Sequence, residues 1–249
     1  ARWESICNTT TLRSIIFQLL EFARQINFRF MLHASAFSFE EKGIVLLGNA
    51  GSGKTSLALK ACREFGYKLI SNDRVVVGKD KSDGIYIDIG AKNINLRKSS
   101  VEIFNPDLLY IFDENDNDSW SQKRMVSAEE IGLEVEETRV KLEKIVLINI
   151  VKSWHGKPVL DVYTNSWRYA TDINDSFSRL VRGCEQTAYF NDGSLCEDFY
   201  MPALDNELSF QNRMQFINKL INEGTIYKLT ANMNYALCIM EKLIRNKCK

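Results

Sequence analysis

Eight consecutive residues, Gly48-Asn49-Ala50-Gly51-Ser52-Gly53-Lys54-Thr55, carry the densest chemistry in the chain. They fit G-x-x-x-x-G-K-[ST] throughout. Glycines at this spacing let the backbone curl until successive N–H groups point inward at phosphate oxygens. A helix starting near Gly53 would add its positive end. Lys54 is placed to neutralise the β- and γ-phosphates, and the Thr55 hydroxyl to ligate Mg²⁺. The expectation is a nucleoside triphosphate site for ATP with Mg²⁺, bound by Gly48, Asn49, Ala50, Gly51, Ser52, Gly53, Lys54, Thr55 and Ser56. A glycine-rich turn beside a surface lysine is the competing reading. It does not account for the apolar strand that enters the loop or the helix that leaves it.

Such a loop still needs a carboxylate to hold the metal, directly or through water. Asp73 follows the next apolar run, Tyr67 to Ile70, and can return to the sheet edge that carries Lys54. Asp73 and Thr55 are therefore the candidate metal ligands; the alternative for Asp73 is a plain turn residue. Its neighbour Asn72 can hydrogen-bond but cannot act as a base.

The elements that must position these groups are legible in outline. Ile15, Ile16, Leu19, Leu20, Phe22, Ala23 and Ile26 recur at helix spacing, predicting a helix over 9–27 after the hydroxyl run Thr9-Thr10-Thr11. Residues 28–39 read as one strand, 40–43 as a turn, and Ile44-Val45-Leu46-Leu47 as a buried strand. The loop helix runs from Ser56 to Phe65 and is stopped by Gly66. Two β-rich runs, 74–77 and 85–89, flank a turn-rich stretch and predict a hairpin where a crossover helix might stand, so the sheet should be mixed. A strand over 144–151 is followed by a hairpin-like return to 159–163, and helices fill 210–221 and 232–244. No repeat or linker divides the chain. The fold class expected is α/β: a nucleotide-binding domain of P-loop type with a mixed sheet and a helical C-terminal part. It is read as one domain over 1–249, with a core over 28–165 and C-terminal helices over 205–246.

The segment His33-Ala34-Ser35-Ala36-Phe37, the glycine loop, and Gly66-Tyr67-Lys68-Leu69-Ile70-Ser71-Asn72-Asp73-Arg74-Val75 together resemble the core of HPr kinase/phosphorylase and its stand-alone relatives. Those proteins share the P-loop fold of phosphoenolpyruvate carboxykinase. The resemblance covers about 30–77. It implies that Lys54 and Thr55 bind nucleotide and metal, that Asp73 assists Mg²⁺, and that His33 lies beside the phosphate-transfer site. The family carries two consecutive acids at this strand end, the first held to deprotonate the acceptor serine. This chain has Asn72 there, which leaves the base open. Asp73 takes over, the acceptor attacks with little base help, or the protein binds nucleotide without transfer. The family's second glycine-rich signature has no counterpart, which argues against a reverse phosphorylase reaction and against HPr as substrate.

The remaining features weigh less. Arg97 and Arg124, and behind them Lys123 and Arg168, are candidates to meet triphosphate charge, against the reading of each as a surface charge. His155 reads as a turn residue. The acidic stretch 113–118 lacks the glycine and glutamate that an EF-hand loop would need. The 32 basic and 32 acidic residues balance, so there is no footprint of a general nucleic-acid binder. Six cysteines without a C-x-x-C pair suggest a reducing, cytoplasmic setting rather than a disulfide framework. No apolar stretch approaches the ~20 residues of a membrane helix, so no membrane partner is expected. The function expected is an ATP-dependent kinase that phosphorylates a hydroxyl, a Ser or Thr of a peptide or small protein. The catalytic candidates are Lys54, Asp73, His33, Asn72, Arg97 and Arg124. The alternatives are a regulatory module that binds nucleotide without transfer, or a kinase acting on a small molecule.

Overall fold

The computed structural model describes residues 9–88, 90–112, 122–152, 156–162, 166–183, 203–223 and 226–245. In chain order its elements are α1 (Thr9–Gln25), β1 (Arg29–Leu32), β2 (Ser35–Phe39), β3 (Lys42–Leu47), α2 (Lys54–Phe65), β4 (Lys68–Asn72) and β5 (Val75–Lys79). There follow β6 (Ile85–Ile87), β7 (Asn93–Arg97), α3 (Lys98–Phe104), β8 (Lys123–Ser127), β9 (Val140–Ile150) and β10 (Val159–Val162). The chain ends with α4 (Ser166–Ser178), α5 (Glu207–Asn222), β11 (Ile226–Ala231) and α6 (Met233–Ile244). The acidic stretch 113–118 and His155 lie outside the described residues.

Contacts divide the chain into two compact units, where the sequence suggests one domain. The first comprises Ala1–Met31 with Asn165–Glu223, the second Leu32–Thr164 with Gly224–Lys249. Each is assembled from two separate segments, so no linker marks the division for a linear reading.

In the second unit a mixed sheet runs in the order β5-β6-β9-β3-β2-β4. β3 is apolar because it is central: it pairs parallel to β9 on one side and antiparallel to β2 on the other. The β2–β3 hairpin turns on Glu40 and Glu41, with φ of 47° and 63°, the backbone of a tight two-residue turn. The other edge of β9 is shared. β6 pairs antiparallel with its first residues, and β11 runs parallel to residues 145–150. The expected β5–β6 hairpin is present, with Val77 opposite Ile87. Leu57, Cys62, Leu237 and Met240 from α2 and α6 join Ile44, Leu46, Val146, Ile148 and Leu229 of the sheet in one apolar core. Burial there pushes the Cys62 thiol up to about 12, leaving it an inert packing group.

Four expectations are corrected. Residues 28–39 form two strands, interrupted at His33 and Ala34. The return to 159–163 does not pair with the preceding strand. Instead β10 lies antiparallel to β11, with Val159 opposite Thr230, and β11 occupies the place beside β9. The C-terminal third is not wholly helical: Ile-Tyr-Lys-Leu-Thr-Ala at 226–231 is that strand, with Ile226, Leu229 and Ala231 buried. The helix of the glycine loop starts at Lys54, two residues earlier than Ser56.

The first unit packs α1, α4 and α5 around Phe30, Phe177 and Phe216, whose ring centroids lie 4.7 to 5.9 Å apart. α5 opens with a reciprocal cap. The Asn206 side chain accepts from Ser209 N, and Ser209 Oγ accepts from Asn206 N. No helix among the described residues is long and apolar enough to cross a membrane.

Candidate phosphate-binding site

The carboxyl ends of three parallel strands, β3, β9 and β11, share one edge of the sheet. β2 starts and β4 ends at the same edge, because Ser35 pairs with Leu46 on one side and with Asn72 on the other. This register collects the glycine-rich loop after Leu47, the His33-Ala34 break before Ser35, and Asn72-Asp73 into one neighbourhood. Ligands gather at such edges in α/β sheets.

The loop is braced from beneath. Ile150 N donates to Ser52 O at 3.0 Å, and Ser52 N to Asn49 O at 3.1 Å. Gly48, at φ 154°, leaves no room for a side chain: a Cβ there would stand 2.5 Å from Ser52 Oγ and 2.6 Å from Ile148 O. At Gly53, φ 92°, a Cβ would meet Ile150 at 2.8 Å. Only glycine lets the loop descend this closely onto β9 and then enter α2. Ser52 Oγ is buried without a hydrogen-bond partner. A sealed hydroxyl with nothing to bond is costly, and a phosphate oxygen over the loop would satisfy it. The residues present therefore fit a bound phosphate.

Lys54, 7 % exposed, folds its ammonium back onto the loop, donating to Gly48 O at 2.7 Å and Asn49 O at 3.1 Å. Burial lowers its pKa, and the nearby Asp73 carboxylate pulls in the opposite direction. The Thr55 hydroxyl donates to Asn72 Oδ1 at 3.0 Å, and the Ser35 hydroxyl donates to the same oxygen at 2.8 Å. Asp73 stands just past the strand with φ 74°, a left-handed residue that reverses the chain into β5. Ser71 Oγ pins that turn by donating to Arg74 O at 2.7 Å. His33 Nδ1 lies 3.0 Å from Asp73 Oδ1, both side chains about half exposed. The His33 hydrogen bond is the largest cause holding the Asp73 carboxyl below its ordinary range; burial opposes it, while the charges of His33, Arg74 and Lys54 assist.

Lys54, Thr55, Asn72, Asp73 and His33 are thus brought together, with Asn72 against the loop threonine and Asp73 against the histidine. Arg97 and Arg124 belong instead to the β7–β8 ladder, where Leu96 pairs with Arg124 and Arg97 with Lys123. The Arg124 guanidinium donates to the Ile111 carbonyl, a bond that fastens this strand pair to the helical turn ending at Ile111. Arg168 is exposed on α4 of the first unit. Ser35 escaped sequence reasoning as a site residue. Its role appears only through the β2–β4 register, which no local pattern announces.

The fold and this edge define a mixed α/β protein with a glycine-rich loop between a central strand and a helix. No protein-family model matches the chain, and no curated protein matches it. Among solved structures it is similar to the HPr(Ser) kinase/phosphatase from Coxiella burnetii. The two chains are 11% identical, the match covers 87% of this chain and 95% of that one, and the TM-score is 0.37.

Proposed function

We propose that this chain is an ATP- and Mg²⁺-dependent kinase of P-loop type that phosphorylates a hydroxyl of a peptide or small protein. The observation that carries the reading is the braced loop, with glycines that admit no Cβ, a buried Ser52 hydroxyl lacking a partner, and Lys54 curled beneath. Bound there, ATP would supply the phosphoryl group and Mg²⁺ would offset its charge. The loop amides and Lys54 hold the phosphates and stabilise charge as it moves outward. Thr55 and Asp73 are the residues to hold the metal. His33 and Asp73, paired and half exposed at the same sheet edge, are the residues that would assist the proton of an acceptor hydroxyl. Much of the catalysis then comes from positioning and charge, as phosphoryl transfer allows.

A second reading, a regulatory module that binds nucleotide without transfer, draws on Asn72. The group facing the loop threonine is a neutral amide with no capacity to take a proton. Incubation of the purified protein with γ-labelled ATP, Mg²⁺ and peptides encoded beside its gene separates the two. Label on a peptide is the expected result. Tight binding with label remaining on ATP would replace the kinase reading with the regulatory one.

A further inference from the structure

We propose that Asn72 is a phosphate-binding donor, so that this chain grips the terminal phosphate of a nucleoside triphosphate with an amide at the strand end that would otherwise offer an acid to the metal. The proposal rests on the nucleotide-site reading and adds how that site divides its work between protein donors and cation. Asn72 is 4 % exposed, and its Oδ1 accepts from both Ser35 Oγ and Thr55 Oγ1. Two hydroxyl donors fill the two lone pairs of that oxygen. The two N–H groups of its Nδ2 then remain, without a partner among the described residues. With the oxygen side closed by two hydroxyls, and with the nitrogen not among the buried atoms that lack a partner, the N–H groups are the part of this amide left open to an incoming acceptor.

The chemistry of that acceptor follows from the sign of the donors. N–H groups repel a cation and suit an oxyanion, whereas Mg²⁺ takes oxygen ligands. The Thr55–Asn72 bond ties the amide to the first turn of α2, next to Lys54. Ser52 Oγ, also without a partner, lies in the loop leading to that turn. The edge thus offers two unused neutral donors and one ammonium. Its nearest acid, Asp73, already has Oδ1 engaged by His33. This donor-rich balance favours a phosphate oxygen over a cation, so the triphosphate should keep substantial affinity when the metal is withdrawn.

The test is calorimetric titration of the full chain with ATP and with ADP, in EDTA and in Mg²⁺, for wild type, Asn72→Asp, Asn72→Ala and Lys54→Ala, with thermal melts confirming that each variant folds. In EDTA, Asn72→Asp should weaken ATP binding about tenfold or more, because an acceptor replaces a donor to a charged oxygen. ADP affinity should change far less, and Mg²⁺ should restore much of the loss. Asn72→Ala should weaken metal-free ATP binding without gaining that rescue, and it also serves if the aspartate variant does not fold. Unchanged metal-free ATP affinity in both variants would overturn the proposal. So would a wild type that binds ATP only with Mg²⁺, since the amide donors would then not hold the phosphate without the cation. If wild type binds no nucleotide under either condition, or Lys54→Ala binds as wild type does, the nucleotide-site reading itself falls.

Discussion

Two polar clusters in this protein are built alike and finished differently. In the first unit, Arg213 is fully buried and almost every donor it has is engaged. Nη1 donates to Gln25 Oε1 at 2.6 Å and Asp205 Oδ1 at 2.8 Å, Nη2 to Asp205 Oδ2 at 2.8 Å, and Nε to Asn174 Oδ1 at 3.1 Å. Asp205 also accepts from Arg182 and Ser209. Burial raises its pKa, yet the bonds from Arg213, Ser209 and Arg182 together outweigh that and hold the carboxyl low. At the loop edge of the second unit, by contrast, Ser52 Oγ and the Asn72 amide nitrogen have no partner among the described residues. A saturated network specifies a fold. At the loop edge the buried Ser52 hydroxyl gains a partner only when an acceptor binds.

Breaking the saturated cluster should have the largest effect. Arg213→Met leaves Asp205, Gln25 and Asn174 facing an apolar side chain in a sealed space, and should cost about 3–5 kcal/mol of stability. Urea titration measures it. A loss below about 1 kcal/mol would show that the network is no more than a surface ion pair in effect.

Gln25 links that cluster to Glu21, donating to Glu21 Oε1 at 3.0 Å while Met31 N donates to the same oxygen at 3.0 Å. Here the network is imperfect. Glu21 Oε2 and Arg24 Nη1, 3.7 Å apart, form no hydrogen bond. Burial raises the Glu21 carboxyl from 4.5 to about 7, against the hydrogen bonds of Met31 and Gln25 and the charge of Arg24. A raised pKa means that the contribution to stability is whole below pH 4.5 and is lost as pH rises through 7. The change should be roughly 3 kcal/mol at most. Glu21→Gln should flatten this dependence in denaturant titrations between pH 5 and 8; an unaltered slope would assign it to another group.

At the loop edge the expected response is the reverse, in binding rather than folding. Lys54→Ala should weaken ATP binding or transfer about a hundredfold, equivalent to about 2.7 kcal/mol. Its melting temperature should hardly change, since the lysine bonds only carbonyls of its own loop. A large fall in melting temperature with binding preserved would make this lysine a structural brace and erase the contrast between the clusters.

What the sequence made legible follows the same division. The loop, the helix after it and Asp73 are local in the chain, and strand-loop-helix periodicity with three glycines was enough to find them. The β5–β6 hairpin was also readable from two short β-rich runs around a turn. β11 was not. Its six residues sit between two helices, and only the parallel partner β9, far away in sequence, makes them a strand. Ser35 and the saturated Arg213 cluster were hidden for the same reason: bonds from Arg213 to Gln25 span 188 residues. Arg97 and Arg124 differ again: residue type suggested a charge clamp, and the long-range pairing that puts both in the β7–β8 ladder has no local signal.

The smallest effect concerns Asp73, and it sharpens the comparison because this acid belongs to the open cluster. The His33 bond depresses its carboxyl, so the stabilisation is present above the ordinary value of 3.8 and disappears as pH falls through the lower folded value. Both partners are about half exposed, so solvent screening should hold the effect within about half a kcal/mol. Asp73→Asn should therefore leave denaturant midpoints near neutral pH unchanged and only slightly flatten the fall in stability below pH 4. Its consequence should appear in nucleotide binding, where Mg²⁺ dependence weakens. A destabilisation comparable to that of Arg213→Met would mean that Asp73 serves the fold as Asp205 does, and the loop edge would then have no acid to spare for a metal.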